Sequence, residues 1–276
     1  MSYADIIFIE NCNLILSSGE SNVGETIRPR WQDGSPAYTM KKFGLINRYD
    51  LSSEFPLLTL RPINWRAALK EILWIWQKKS NVIAELDSKI WDQWQLPDGT
   101  IGKAYGYQLA QKHTYPEGEF DQVDRVLWSL RNTPASRRML TSLYNFSDLK
   151  DMALYPCAWS MTFSVENGRL NAILNQRSQD MLSANNWNVV QYSALLMMFA
   201  QVSDLQPGEL IHVIADAHIY DRHIELVEDI IGRTAFPAPT FRIDPDVKDF
   251  YDFSIDSFEV VDYQHGEKIG SFPVAE

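Results

Sequence analysis

The chain has 276 residues, 45% of them hydrophobic, and carries a formal net charge of −11. A chain of this length buries roughly 75% of its unfolded surface, enough for one large core. A sequence pI of about 4.9 is the reverse of the basic footprint that holds a phosphate backbone, and counts against nucleic acid as the main partner. The most apolar run, Ser193 to Val202, is about half of the ~20 residues a membrane span needs, and no basic-then-apolar segment opens the chain, so a cytoplasmic protein is expected. Two cysteines make no disulfide framework and five scattered histidines show no zinc spacing, so Cys157 is expected free and no metal is expected.

In chain order, residues 5–15 mix apolar and polar side chains at helical spacing, and Cys12 falls among them with no base or cation beside it, as a structural cysteine would. The loop that follows holds Arg28 and Arg30 among acidic and small residues; taken alone, they read as solvated charges. Residues 64–79 open on a capping Asn64, carry Ala68, Leu69, Ile72, Leu73, Ile75 and Trp76 at helical intervals, and predict a helix. Glu71 lies in its middle, either at the solvent edge or as a buried carboxyl of raised pKa. Residues 90–108 set Trp91 and Trp94 three apart, a spacing that usually means core, before a Pro-Asp-Gly turn. Arg137 and Arg138 precede a strand-like segment; a doubled arginine is usually surface, and is also a ready anion fork.

From Cys157, alternating Trp159, Met161, Phe163 and Val165 predict a half-buried strand. A Glu-Asn-Gly turn and residues 169–178 then complete an antiparallel hairpin, which puts Cys157 and Arg177 near one end of the pair. Trp187 to about Val202 is apolar nearly all round and predicts an interior helix, with Asn185, Asn186 and Asn188 at its opening facing a cavity or a cap. Residues 209–215 predict an apolar strand, with Asp216, His218 and Tyr220 at alternate positions beyond it. His218 and His223 do not share a helical face as zinc ligands do. A helix over 222–231 ends at Gly232, and the acidic stretch 244–262 reads as an antiparallel edge. No repeat or linker divides the chain, so residues 1–276 are expected to form a single α+β domain, a mixed sheet packed with helices.

The runs IWDQW, YGYQ, SRR, MALYPC, QRSQD, NVVQYSALL, DAHIYDRHI and the final PVA, in that order, resemble the folate-dependent thymidylate synthase family over nearly the whole chain. The resemblance implies reductive methylation of dUMP to dTMP with 5,10-methylenetetrahydrofolate as cosubstrate, in a homodimer joined through sheet faces. It also assigns residues. Cys157 is the nucleophile; Arg28, Arg177 and Ser178 bind phosphate within a subunit, while Arg137 and Arg138 reach across the interface. Gln176, Asp180, Asn188, His218 and Tyr220 match nucleotide-orienting positions. Glu71, Tyr105 and Asp180 match positions for proton transfer, and Glu71, Trp91, Trp94, Asp180, Trp187, Val274 and Ala275 match positions around the folate.

Each residue type has a chemical reason to be there. A thiolate adding at carbon 6 of uracil raises electron density at carbon 5, where the methyl group is placed. A guanidinium beside the thiol favours the ionised form. Arginines supply the local positive charge a phosphate dianion needs in an acidic protein. An Asn amide can accept from ring N3–H and donate to the oxygen on carbon 4, a pattern cytosine reverses. Departures from the family's pattern are Ala158 after the nucleophile, Ser183, Ala184, Asn185 and Asn186 before Trp187, and Ala215 before Asp216. The loop departures motivate one alternative, a pyrimidine hydroxymethylase of the same family; another is a non-catalytic nucleotide-binding dimer, against which the retained Cys157 and arginines speak.

Overall fold

The structure is a computed structural model, described over residues 1–275. Its frame is a seven-stranded mixed sheet. In chain order the strands are β1 (Glu20–Ser21), β2 (Thr39–Asp50), the hairpin β3 (His113–Tyr115) and β4 (Gly118–Phe120), β5 (Leu140–Ser142), β6 (Ala158–Glu166), β7 (Arg169–Gln176), β8 (Gln179–Asp180), β9 (Gln206–Tyr220), β10 (Thr240–Ile243) and β11 (Phe258–Val261). The large sheet runs β1-β2-β9-β7-β6-β5, with β8 also on β9, while β3–β4 and β10–β11 stand apart as two-stranded pairs. The helices are α1 (Tyr3–Ser18), α2 (Trp65–Trp76), α3 (Gly106–Ala110), α4 (Gln122–Asn132), α5 (Trp187–Gln201) and α6 (Ile224–Ile231). This is the expected α+β class.

The β6–β7 hairpin forms in the expected register, with Glu166 opposite Arg169 at the turn and Ala158 opposite Gln176 at the far end. The chain then passes through α5 before returning as β9, and that crossover lets β9 lie parallel to β7. Along the buried face, Leu170, Ala172, Leu174 and Gln176 of β7 alternate with half-exposed or exposed neighbours, as the two-residue period requires. The opposite face stays open: Ile46 of β2, Leu140 of β5 and Ile173 of β7 are 62%, 56% and 37% exposed.

Sequence chemistry accounts for the helix ends. Ser2 and Asp5 form a reciprocal capping box at α1. The buried Asp5 carboxylate also takes the Thr59 backbone N–H at 2.7 Å, tying α1 to the segment that leads into α2. Asn64 caps α2 by accepting from the Ala67 N–H at 3.2 Å. The helix stops at Trp76, short of the expected residue 79, because Lys79 turns left-handed at φ 52° and the Gln77 amide is drawn to the Phe250 and Phe253 carbonyls. α5 is buried on nearly all sides, packed between α2 and the sheet. Its Phe199 meets Trp76, Phe163 and Phe250 at centroid distances of 6.1, 5.2 and 4.8 Å.

Other expectations change. β2, twelve residues long, was not anticipated, because its outer half carries lysines and exposed apolar residues instead of a clean alternation. α4, capped by Asp121, was also missed. The acidic stretch 244–262 is mostly short 3-10 turns and bends, and only its end pairs, as β11 on β10, away from the main sheet. No helix among the described residues is long and apolar enough to cross a membrane.

Phe199→Ala should remove one of the largest core side chains and cost about 3–5 kcal/mol, read as a clear fall in denaturation midpoint; a midpoint within error of the parent would show that this cluster does not carry the core.

Candidate functional site

The open end of the β6–β7 hairpin, opposite its turn, and the start of α5 converge on Cys157. The Arg177 backbone N–H donates to the Cys157 carbonyl at 2.9 Å, continuing the ladder one step past the strands. Two carbonyls hold the Arg177 guanidinium in place, Pro156 at 3.1 Å from Nε and Tyr155 at 2.7 Å from Nη2, and Nη2 then lies 3.7 Å from Cys157 Sγ. The thiol is half-buried, and its pKa is raised by burial, with the charges of Arg177 and Arg28 opposing the rise. The sequence-based expectation that a neighbouring guanidinium favours the thiolate therefore gives only part of the balance. Desolvation of the thiol outweighs it.

Behind the thiol lies a layer of aromatic rings. Tyr105 OH accepts from the Cys157 N–H at 3.3 Å. Tyr105 sits in a strained backbone conformation, φ 48° and ψ −109°, immediately before Gly106, where any side chain would collide with the Ser80 backbone. Its ring meets Trp91 edge-on at 5.1 Å, and Trp91 meets Trp94 at 5.2 Å. Glu71 is buried, which decides between the two readings of the sequence. Its carboxylate takes the Trp91 indole N–H at 3.0 Å and the Trp187 indole N–H at 2.6 Å. Burial raises its pKa, and hydrogen bonds from Trp187, Trp91 and Gln191 partly counter the rise.

Asn188, on the first turn of α5, has its Oδ1 3.2 Å from Gln176 Nε2 and its Nδ2 3.2 Å from Gln191 Oε1. Gln191 in turn donates to the Ala68 carbonyl at 3.1 Å. Asn186 occupies the helix-cap position in a left-handed conformation, φ 64°, but its side chain is spent on the Leu58 N–H and the Pro56 carbonyl. Asn185 lines a cleft of about 260 Å³ with Trp187, Ser183, Arg61, Lys268 and Phe272.

Asp180 lies opposite His218 across the β8–β9 ladder, and its carboxylate accepts from the Leu182 and Ser183 backbone N–H groups at 2.9 and 3.3 Å. His218 Nδ1 is 2.7 Å from Asp216 Oδ1. Tyr220 packs on His218 at 5.1 Å, and its phenol is pushed up to about 12 by burial and by the Asp180 charge, with Arg28 opposing. Arg28 is exposed, and its charge opposes the upward shifts of both Cys157 and Tyr220. The Ser178 carbonyl accepts from Gln176 Nε2 at 2.9 Å. Among the described residues no group of His, Cys, Asp and Glu is arranged to hold a metal.

Other assigned residues are not gathered by this chain alone. Arg137 and Arg138 are exposed and make no ion pair among the described residues; Arg138 lines a separate hollow with Tyr115 and Arg125. Val274 is exposed and Ala275 half-buried, and the tail is anchored just before them, where His223 meets the Pro273 carbonyl at 2.7 Å and the Phe272 ring at 5.4 Å. Sequence reasoning missed Gln191, His212 and Trp31. The first two are polar side chains buried in apolar elements, and that mismatch is a readable signal. Trp31 packs on Tyr220 and His223 at 5.5 Å each and carries no comparable mark in the sequence.

The thymidylate synthase family model matches residues 7–275. A thymidylate synthase of Bacillus licheniformis is 44% identical over 280 residues, covering 100% of both chains. Thymidylate synthase 1 of Bacillus subtilis strain 168 is 44% identical over 260 residues, 92% of this chain and 93% of that one. The solved thermostable thymidylate synthase A from Bacillus subtilis superposes with a TM-score of 0.94 at 42% identity, covering 99% of each chain.

The raised pKa of Glu71 gives stability a pH signature. The protonated form is favoured in the fold, so that contribution is complete below the ordinary carboxylate range and is lost as pH rises through the raised folded value. Glu71→Gln, uncharged throughout, should therefore gain melting temperature relative to the parent as pH rises above the ordinary carboxylate range. Parallel curves for the two proteins would contradict a raised pKa.

Proposed function

The chain belongs to the thymidylate synthase family, and we propose on that premise that Cys157 is the nucleophile with which it methylates dUMP. The enzyme is a methyltransferase that converts dUMP to dTMP with 5,10-methylenetetrahydrofolate as cosubstrate. The relatives are named thymidylate synthases, which sets aside the hydroxymethylase and non-catalytic alternatives. The observation that supports the site assignment best is the thiol of Cys157 held 3.7 Å from the Arg177 guanidinium, on a hairpin end that also carries Gln176 and, through it, Asn188.

Arg28, Arg177 and Ser178 hold the nucleotide phosphate. Arg137 and Arg138 complete that cluster from a second copy of the chain, and the open sheet face bearing Ile46, Leu140 and Ile173 is the surface through which the homodimer forms. A dianion at the guanidinium cluster cancels repulsion among the arginines and fixes the ring over the sulfur. Asn188 reads the pyrimidine, accepting from ring N3–H and donating to the carbon-4 oxygen, while His218, Tyr220 and Asp180 orient sugar and base. Cys157 then adds as thiolate to carbon 6. The bound arginines favour that ionised form, while burial opposes it.

The folate fits the cleft beside Trp187. Arg61 and Lys268, which line it, supply positive charge for a polar ligand, and Trp187 offers a ring face to a flat heterocycle. Bound there, the folate supplies the one-carbon unit and the hydride. Asp180 lies at the head of the 181–186 loop and orients this end of the site. Glu71, buried and of raised pKa, holds a proton at its carboxyl for exchange with the pyrimidine side, steered by its two indole donors. Val274 and Ala275, just beyond the anchored Phe272 that lines the cleft, contact the folate. Residues 1–276 act as one catalytic domain in the cytoplasm.

Cys157→Ser should lower turnover, followed as dihydrofolate absorbance, by roughly three orders of magnitude or more while dUMP still binds. Near-parental turnover would remove Cys157 from its role. Asn188→Asp should shift preference from dUMP toward dCMP, because a carboxyl sharing a proton can satisfy the exocyclic amine. Competition binding checks this, and an unchanged preference would mean that another group reads the base.

A further inference from the structure

A row of polar side chains crosses the otherwise apolar layer beneath the sheet. On its buried face β9 presents Leu210, His212 and Ile214 in succession, each at 0% exposure. An imidazole buried between two aliphatic side chains is costly unless a partner compensates it. His212 has one: its Nε2 lies 2.8 Å from Gln176 Oε1. The direction of that bond is fixed at Gln176. Gln176 Nε2 donates to the Ser178 carbonyl at 2.9 Å, and a carbonyl can only accept, so Oε1 faces His212 and the imidazole carries its proton on Nε2. Burial keeps the ring neutral, lowering its pKa to about 3.

The remaining ring nitrogen, Nδ1, is then an acceptor, and it has no partner. Asn47 of β2 sits directly across the ladder from His212. Its Oδ1 is taken by Asn11 Nδ2 at 3.0 Å, leaving Nδ2 as an unpartnered donor. The free donor and the free acceptor thus belong to residues paired across the strands, with no hydrogen bond joining them.

The polarity set at Gln176 continues outward. Gln176 Nε2 also donates to Asn188 Oδ1, Asn188 Nδ2 to Gln191 Oε1, and Gln191 Nε2 to the Ala68 carbonyl, at 3.2, 3.2 and 3.1 Å. A half-turn of the Asn188 amide would set N–H against N–H at Gln176 and oxygen against oxygen at Gln191.

We propose that His212 is a positioning residue for pyrimidine selection: its Nε2–H, acting together with the Ser178 carbonyl, holds the polarity of the Gln176 amide and thereby the orientation in which Asn188 meets the base. This rests on the reading of Asn188 as the group that faces the pyrimidine. Without the donor, Gln176 Oε1 faces an apolar wall and only the Ser178 carbonyl still holds the amide, so it turns more readily and Asn188 turns with it. A turned Asn188 matches cytosine, whose ring N3 accepts and whose exocyclic amine donates.

The test is calorimetric titration of dUMP and dCMP into the parent enzyme, His212→Phe, which keeps an aromatic ring, and His212→Gln, which returns a donor near the Nε2 position. The parent should prefer dUMP. His212→Phe should lose roughly tenfold of that preference, the size of one buried hydrogen bond, with dUMP weakened and dCMP unchanged or tightened. His212→Gln should recover most of it. An equal weakening of both nucleotides, or no change in either, would overturn the role of His212, whereas a parent that does not prefer dUMP would overturn the reading of Asn188 beneath it. Imidazole 15N resonances of the parent give a readout that needs no variant to fold. A neutral ring protonated at Nε2 supports the proposal, and a proton on Nδ1 overturns it.

Discussion

The site depends on where the β6–β7 hairpin ends. One backbone hydrogen bond beyond the last ladder pair, from Arg177 N–H to the Cys157 carbonyl, puts a sulfur and a guanidinium on facing strand ends with no freedom to slide. A two-stranded register has only two side-chain phases, so a slip of one residue would point Gln176 away from α5 and uncouple Asn188 from the sheet. Packing of Leu170, Ala172 and Leu174 against α5 holds that phase, so the core and the chemistry share one constraint.

Burial and charge oppose each other throughout the pocket. It raises the pKa of Cys157, Glu71 and Tyr105 by excluding water, and only Arg177 and Arg28 work against this at the sulfur. Burial therefore favours the neutral thiol at Cys157. The arginines proposed to come from a second subunit, and the order imposed by a bound phosphate, would tilt that balance, which couples nucleotide binding to activation of the sulfur. Glu71 shows the same economy of means: two indole donors hold a carboxyl in place without ionising it outright.

Much of this was legible in the sequence where a single period dominated. The hairpin from Ala158 to Gln176, the α2 stripe and the all-apolar α5 each obey one rule over their length, and their ends carry capping or turn residues. β2 was hidden because one side of it faces outward in the single chain, so exposed Ile46 and buried Tyr49 break the alternation a reader looks for. The burial of Glu71 depends on Trp91 and Trp187, which close over it from other parts of the chain. Asn186 looked like an ordinary cap and instead ties the start of α5 to residues 56–58. Gln191 and His212 could have been noticed as polar side chains in apolar elements, but the Ala68 carbonyl and Gln176 that they bond lie on another helix and another strand. Arg137 and Arg138 rested on family resemblance alone, and nothing in the isolated chain gives them a ligand.

The central claim is that one sulfur forms a bond to carbon 6 of the pyrimidine. Mass spectrometry of the protein after incubation with 5-fluoro-dUMP and 5,10-methylenetetrahydrofolate, followed by peptide mapping, tests it most directly, because the fluorine blocks the later loss of the carbon-5 proton and traps the adduct. The account predicts a covalent complex of protein, nucleotide and folate mapped to Cys157; no adduct, or an adduct on Cys12 or any other residue, would contradict it.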